Sequence, residues 1–324
     1  MTIGIGPSRD FVGYGKSSPK GSWAGGARVA LNIVINVEEG SERSWAAGDQ
    51  HNEGLGELPR AIDAQYRDLG TESVYEYGSR AGVFRLLRLF DKLGIKVTAF
   101  AAAQALELNP EATAWLVSAG HEICAHGYRW SESWRMNRDD EARSIERAVA
   151  SIAKTTGHRP VGWYSRWMPS IHTRELLAAE GGFEYDSDAY NDDFPYYVAV
   201  AGRPHLVVPY TQTYNDSFYC YGHLGGPTDF VDYCRRGLDY LLNEDDGAPR
   251  LMSVGLHPRI TGQAARTSAL AEFLDYALAQ DGVWVTTRRE IANYWRAEHP
   301  PMVSAAGDDH QYTGEKSGAQ SNDL

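Results

Sequence analysis

The sequence predicts an α/β fold, a single domain in which a mostly parallel sheet closes into a barrel. Three observations carry this. Short apolar runs alternate with stretches of helical period about seven times along the chain, the pattern of repeated β-then-α units. The spacing is uniform, with no Pro-, Gly- or Ser-rich linker to divide two domains. A chain of 324 residues, 43% of them hydrophobic, is long enough to bury one large core.

Taken in order, residues 1–27 are rich in Gly, Ser and Pro and read as an irregular N-terminal arm. "RVALNIVINV", Arg28 to Val37, is a fully buried first strand, and a long loop follows that is too polar for the core. "GVFRLLRLFDKLG" places Val83, Leu86, Leu87, Phe90 and Leu93 on one helical face, with Gly94 as its stop. "KVTAFAA" is the next strand. Asn109 and Pro110 cap and start the helix "EATAWLVSAG". Strand "EICA", helix "DDEARSIERAVASIAKTTG", strand "VGWY" and helix "TRELLAAEGG" come next. The second half adds strand "HLVVPY", a helix from Thr228 to Asn243 and strand "RLMSVGL". A helix near Ala265 to Ala279, strand "VWVTT" and helix "REIANYW" complete the barrel at residue 298. Residues 299–324 are polar with little to bury and read as a disordered tail.

Composition excludes several functions. A net charge of −12 argues against a nucleic-acid partner. No apolar stretch approaches the ~20 residues that span a membrane. The N-terminus lacks the basic-then-apolar pattern of a signal peptide, and Cys124, Cys220 and Cys234 are neither paired nor grouped like zinc ligands. A reduced, cytoplasmic protein is the expectation.

The stretch "GHEICAHGYRW", Gly120 to Trp130, resembles half of a metal site. His121 and His126 are five residues apart, one too many for the H-E-x-x-H helix. "EICA" reads as a strand, whose side chains alternate between faces, so the two histidines point apart and cannot share an ion. His121 is expected to be structural. In a (β/α) barrel, chemistry sits just beyond the C-terminal ends of the strands. Four strand ends carry polar residues there: Asn36, Glu38 and Glu39; His126; Tyr164 and Arg166; His257 and Arg259. Singly, each has a plain structural explanation as a solvated turn or a hydrogen-bonded histidine. Together at one rim they mark a site.

The order of these motifs resembles the polysaccharide deacetylase family, from about Arg28 to Trp295. "Asn36-Val-Glu-Glu-Gly" stands where that family has T-F-D-D-G, "GHEICAHGYRW" matches G-H-E-I-x-x-H-[ST]-x-x-H, and "GLH" at 255–257 resembles a late L-x-H. The resemblance implies a distorted seven-stranded (β/α) barrel. Departures from the pattern shape the functional expectation. Trp130 occupies the position of a second metal-ligating histidine, the acidic pair is Glu-Glu, and "WYSRWMPS" replaces an Arg-Pro-Pro motif. With "RDFVGYG", "YEYGSRAGVFRLL", "YDSDAYNDDFPY" and "PHLVVPYT", they resemble the branch of metal-independent allantoinases and cyclic-imide hydrolases. "GWYSRW" departs from that branch's G-W-Y-T-G-R, so Ser165 to His172 is where the substrate is expected to differ.

Amide hydrolysis needs an activated water, an acid for the leaving nitrogen and a holder for the oxyanion. Zinc would require three protein ligands and a water. With Trp130 in the way, the expectation is no cofactor; the set that remains for a Zn2+ ion is Glu38 (or Glu39), His126 and His257. Without metal, Glu38 is the expected base, with Glu39 as the alternative, His257 the acid, and His126 a group that orients water or shares the proton. Asn36, Trp130, Tyr164, Arg166, Trp167 and Arg259 are the expected substrate-binding residues. Arg166 beside Trp167 pairs a cation with a flat apolar face, suited to a planar ring bearing carbonyl oxygens. The expected function is hydrolysis of a small cyclic amide or ureide such as allantoin, by a homo-oligomer, a tetramer being the form to look for. The alternatives are a metal-dependent carbohydrate or peptidoglycan N-deacetylase and a non-catalytic relative that binds a small ligand.

Overall fold

A computed structural model describes residues 6–54, 62–220, 222, 225–244 and 246–301. The first half comprises β1 (Val29–Val37), α1 (Leu69–Tyr77), α2 (Val83–Leu93), β2 (Thr98–Ala101), α3 (Ala103–Leu108), α4 (Pro110–Ser118), β3 (Glu122–Ala125) and α5 (Arg138–Thr156). The second comprises β4 (Gly162–Trp163), α6 (Thr173–Glu180), β5 (Tyr185–Asp186), β6 (Tyr196–Val200), β7 (Arg203–Val207), α7 (Pro227–Asn243), β8 (Arg250–Leu256), α8 (Ala264–Leu278), β9 (Val283–Val285) and α9 (Arg288–Glu298). The punctuation read from sequence holds. Gly94 ends α2 in the left-handed region, and the Asn109 side chain caps α4 by accepting from the Ala112 N–H at 3.1 Å.

All seven expected strands form, and β5 and β6 join them in one sheet of order β6-β7-β5-β4-β3-β2-β1-β8. β1 is the axis of this sheet. One edge pairs with β8; the other pairs with β9 along Val29–Leu31 and with β2 along Val34–Val37. That split is the distortion of the barrel. The expectation of parallel pairing throughout is corrected at β6, which runs antiparallel to β7 through Ala201 and Gly202, both left-handed. Between β7 and β8 the described residues form no ladder. The gap is crossed by an Asn215–Gly255 bridge and the Tyr210 side chain.

Strand alternation divides the core into two layers. Val29, Leu31, Ile33, Ile35 and Val37 of β1 pack outward against α2 and the other helices, with Leu86, Leu87 and Phe90. Ala30 and Val34 face the barrel interior with Phe100, Cys124, Tyr164 and Tyr210. The arm is less peripheral than its composition predicts. Trp23 is buried against Trp284, Tyr294 and Trp295, and its indole N–H donates to the Arg250 carbonyl at 2.6 Å, sealing the barrel floor. The loop after β1 departs further from expectation. It contains α1 and buries Ser41, Glu42, Ser44 and Glu53 despite its polarity. The expected tail at 299–324 falls outside the described residues from 302 onward. No helix among the described residues is long and apolar enough to cross a membrane.

Between floor and mouth lies one fully buried cation. Arg288 donates from Nε to Ser187 Oγ (2.8 Å) and from Nη1 to Ser253 Oγ (2.8 Å) and Asn32 Oδ1 (3.3 Å). Its Nη2 serves the carbonyls of Val208 and Pro209. One guanidinium thus ties β1, β8, the end of β5 and the end of β7 across the interior, and holds closed a barrel whose edge ladder is missing. Arg288→Met should strand these acceptors and destabilise the fold by about 3 kcal/mol or more, read as a lowered urea midpoint. An unchanged midpoint would show that the barrel closes without it.

Candidate active site

The inward register of the strands continues past their ends and aims the site residues at the barrel axis. In β1 the inward positions are Asn32, Val34 and Asn36, and the next is Glu38; Glu39 falls on the helix side. In β3 Cys124 leads to His126, and in β8 Ser253 and Gly255 lead to His257. Gly255 leaves room for Tyr210, whose hydroxyl would lie 2.1 Å from a Cβ there.

Glu38 is the hub. Its Oε1 lies 3.2 Å from His126 Nε2 and 3.9 Å from His257 Nε2, and its Oε2 accepts from Arg259 Nη1 at 2.9 Å. Burial alone would raise its pKa, but Arg259, His257 and His126 outweigh burial and hold the carboxyl well below the ordinary range. Glu38 is therefore a standing anion. Glu39 behaves oppositely. Burial and the neighbouring Glu38 charge push it up to about 7 against the pull of Arg259. Its carboxylate accepts from the backbone N–H groups of Glu38 and Arg259, each at 3.2 Å, so it braces the two segments that meet at the site.

Both histidines are oriented from behind. His126 Nδ1 donates to the Tyr164 carbonyl at 2.7 Å, and the Tyr164 ring stacks on the imidazole at 5.0 Å and 9°. His257 Nδ1 meets Asp216 Oδ1 at 2.6 Å, and Asp216 Oδ2 accepts from the His257 backbone N–H at 2.7 Å and from Thr261 Oγ1 at 2.6 Å. Burial opposes the imidazolium, but Asp216 and then Glu38 stabilise it enough to raise the His257 pKa. Sequence reasoning missed Asp216. It lies in a short 3-10 turn, Asp216–Tyr219, and no strand periodicity leads to it.

The expected substrate-binding residues divide. Tyr164 and Arg259 border the cluster. Asn36 instead joins β1 to β8, donating to the Leu256 carbonyl (3.1 Å) and Tyr210 Oη (3.3 Å). Arg166, expected to hold a ring carbonyl, is turned inward. It donates to Glu53 Oε1 (2.8 Å) and the Trp130 carbonyl (2.8 Å) and lies over the indoles of Trp130 (3.8 Å) and Trp167 (4.4 Å). Glu53 gave no signal in sequence, being one acid in a polar loop. Trp130 packs beneath both cations, with Arg259 5.4 Å from its ring. The loop that departs from the branch pattern is pinned residue by residue. Asp188 holds the Ser165 N–H (2.7 Å) and hydroxyl (2.8 Å). Trp167 adopts φ 59°, and its carbonyl accepts from Tyr190 Oη at 2.5 Å. A tryptophan in the left-handed region is strained, and such strain persists only where neighbours enforce it.

A metal fits this donor set poorly. Glu38, His126 and His257 converge, and each histidine has a partner behind it of the kind metal ligands have. Yet Arg259 already neutralises the carboxylate, and Trp130 offers no donor. No group of three His, Cys, Asp or Glu among the described residues is arranged to hold an ion.

His121 lies elsewhere. It precedes β3 on the outer face, against Phe90, and its Nδ1 accepts from the Val97 N–H at 3.2 Å. Burial and then Lys96 depress its pKa to about 4. The unfolded chain therefore binds this proton more readily, so stability falls as pH drops from about 6.5 towards 4. His121→Gln should flatten that slope by on the order of 2 kcal/mol across the window. An identical acid slope in the variant would assign the loss to other groups.

Comparisons with known proteins place the chain among relatives of the same fold. Residues 72–177 match the family model described as polysaccharide deacetylase. A polysaccharide-deacetylase homologue of Schizosaccharomyces pombe is 35% identical over 90% of this chain and 98% of its own. A solved polysaccharide-deacetylase homologue from Pseudomonas aeruginosa PAO1 is 42% identical, covering 91% of this chain and 100% of that one, with a TM-score of 0.87. Puue allantoinase is likewise 42% identical, covering 92% and 100%, with a TM-score of 0.87. The chain belongs to the polysaccharide deacetylase family.

Proposed function

We propose that this protein is a hydrolase of carbon–nitrogen bonds that opens a small cyclic amide or ureide, with allantoin the first candidate and cyclic imides the second. The carrying observation is the cluster of Glu38, His126, His257 and Arg259 at the barrel mouth, in which no residue is more than 8% exposed. A site so enclosed suits a small planar ring better than a hydrated polymer. The 42% identity to Puue allantoinase, along nearly the whole of both chains, supports the same substrate class. So does the loop that begins at Ser165, whose backbone is held by Asp188 and Tyr190. This reading places the enzyme in the cytoplasm, in breakdown of purine-derived ureides, as a homo-oligomer.

The residues support a mechanism without metal. In this mechanism a water held by Glu38 and the two histidines attacks the carbonyl carbon through its oxygen. Glu38, clamped by Arg259, holds protons too weakly to keep one. The proton passes to His257, whose imidazolium Asp216 stabilises. Arg259 is the cation nearest the developing oxyanion. When the C–N bond breaks, the electron pair goes to nitrogen and His257 Nε2 returns the proton to it. Glu38 thus serves as orienter and electrostatic anchor, and the base role expected of it moves to His257.

Purified protein should open allantoin or a cyclic imide in excess chelator and carry less than stoichiometric zinc. Acetate release from N-acetylated oligosaccharides, abolished by chelator and restored by zinc, would instead establish the deacetylase alternative. A second outcome concerns the histidine. Asp216 raises the His257 pKa, so Asp216→Asn should move the acid limb of kcat/KM to lower pH and reduce turnover by ~100-fold. A limb that stays in place removes His257 from the proton path.

A further inference from the structure

The motif "YEYGSRAGVFRLL" has no part in the cluster itself, yet it lies against it. Between α1 and α2 the helix widens into a single π turn, Gly78–Gly82. π turns inside helices recur near functional sites because they shift the faces on either side out of register. Here the widened helix turns Tyr75, Gly78 and Gly82 towards the turn that follows β8. A Cβ on Gly82 would lie 2.0 Å from the Pro258 carbonyl oxygen and 2.8 Å from its carbon. A Cβ on Gly78 would lie 2.5 Å from Glu39 Oε1 and 2.8 Å from the Arg259 nitrogen. Across the contact, a Cβ on Gly262 would lie 2.0 Å from the Pro258 oxygen and 2.4 Å from Gly82 Cα. Neither Gly82 nor Gly262 faces a flexible side chain that could yield; the obstacle is backbone on both sides.

Polar contacts complete the seat. Tyr77 Oη donates to the Gly262 carbonyl at 3.2 Å and accepts from Arg85 Nη1 at 2.5 Å, and Arg85 also serves that carbonyl. The Tyr75 ring lies 4.6 Å from the Arg259 guanidinium. Gly94, at the far end of α2, is left-handed with open space around it, so its glycine answers to helix termination alone.

We propose that the π turn and its two glycines are a positioning device: they seat the His257–Gly262 turn by backbone contact and so fix where Arg259 meets Glu38. The residues are positioning residues, since none reaches the reacting atoms. The activity arm of the test rests on the hydrolase reading above; the exchange arm does not.

Gly82→Ala should lower kcat by ~100-fold with KM within about threefold, because a displacement near 1 Å in a catalytic group costs about that much. Hydrogen–deuterium exchange over 257–262 should quicken in the same variant. Gly94→Ala, which strains only the helix end, should lower thermal stability while leaving kcat and exchange at 257–262 unchanged. Coupling separates positioning from general weakening. Arg259→Lys should cost ~10-fold in the wild type but only about twofold in the Gly82→Ala background, since the cation is already misplaced. Additive losses, or a Gly82→Ala protein matching Gly94→Ala in kcat and exchange, overturn the proposal. If Gly82→Ala does not fold, Tyr77→Phe removes one bond of the seat and should quicken exchange at 257–262 and cost about threefold in kcat. Unchanged exchange in that variant overturns the proposal equally. Should the wild type open no ring, the function fails, and exchange at 257–262 alone still decides the role of the glycines.

Discussion

The contact between Arg259 and Glu38 is the constraint from which the site follows. A buried glutamate without a cation would take up a proton and lose its hold on two histidines. With the guanidinium 2.9 Å away it stays ionised and draws both Nε2 atoms towards one oxygen. The cation must in turn be housed, because a buried guanidinium left bare is costly. Its faces are covered by Tyr75 and Trp130, and its backbone is held by Glu39. Each of these comes from a different element, so one ion pair recruits α1, the loop after β1 and the segment beyond β3.

Trp130 shows how far one such demand travels. At this position an indole offers no metal donor and provides an aromatic face, on which Arg166 lies as closely as 3.8 Å. Arg166 is itself buried and therefore needs an anion, which Glu53 supplies. Glu53 can do so only if the polar loop after β1 folds inward. That explains why a segment of such composition is buried.

Much of this was legible because strand alternation is local. The apolar runs of β1, β2, β3 and β8 are long or distinctive enough to read, and the strand-end rule then points to Glu38, His126, His257 and Arg259. The same period of two, continued past Val37, also separates Glu38, on the axis, from Glu39, on the helix side. Other parts were hidden for a physical reason. β5 has two residues and β6 is mostly half-buried, with only Val200 buried, so tertiary pairing rather than pattern defines them. Asp216 and Glu53 act through partners 41 and 113 residues away, and loop acids carry no periodicity. Arg166 beside Trp167 suggests a substrate-binding face, and the anion that turns it inward is remote in sequence.

The proposed chemistry follows from what such a site can and cannot supply. A metal ion polarises a carbonyl strongly and lowers the pKa of its water, which allows attack on an unactivated amide. A fixed guanidinium and a His–Asp pair stabilise the same charges less, so more of the barrier must be removed by the substrate. In a hydantoin or an imide, the departing nitrogen is conjugated to a second carbonyl and leaves with its charge already spread. The carbonyl under attack shares its nitrogen lone pair and is correspondingly more electrophilic. Ring planarity adds a benefit of its own, since a rigid ring loses little entropy when enclosed. Under the proposed function, a barrel mouth in which Trp130 lies beneath Arg166 and Arg259 suits a substrate that is small, flat and already activated for hydrolysis. On the same proposal, the loop from Ser165 to Met168 would select among such rings by shape rather than by charge, since its Arg166 is paired with Glu53.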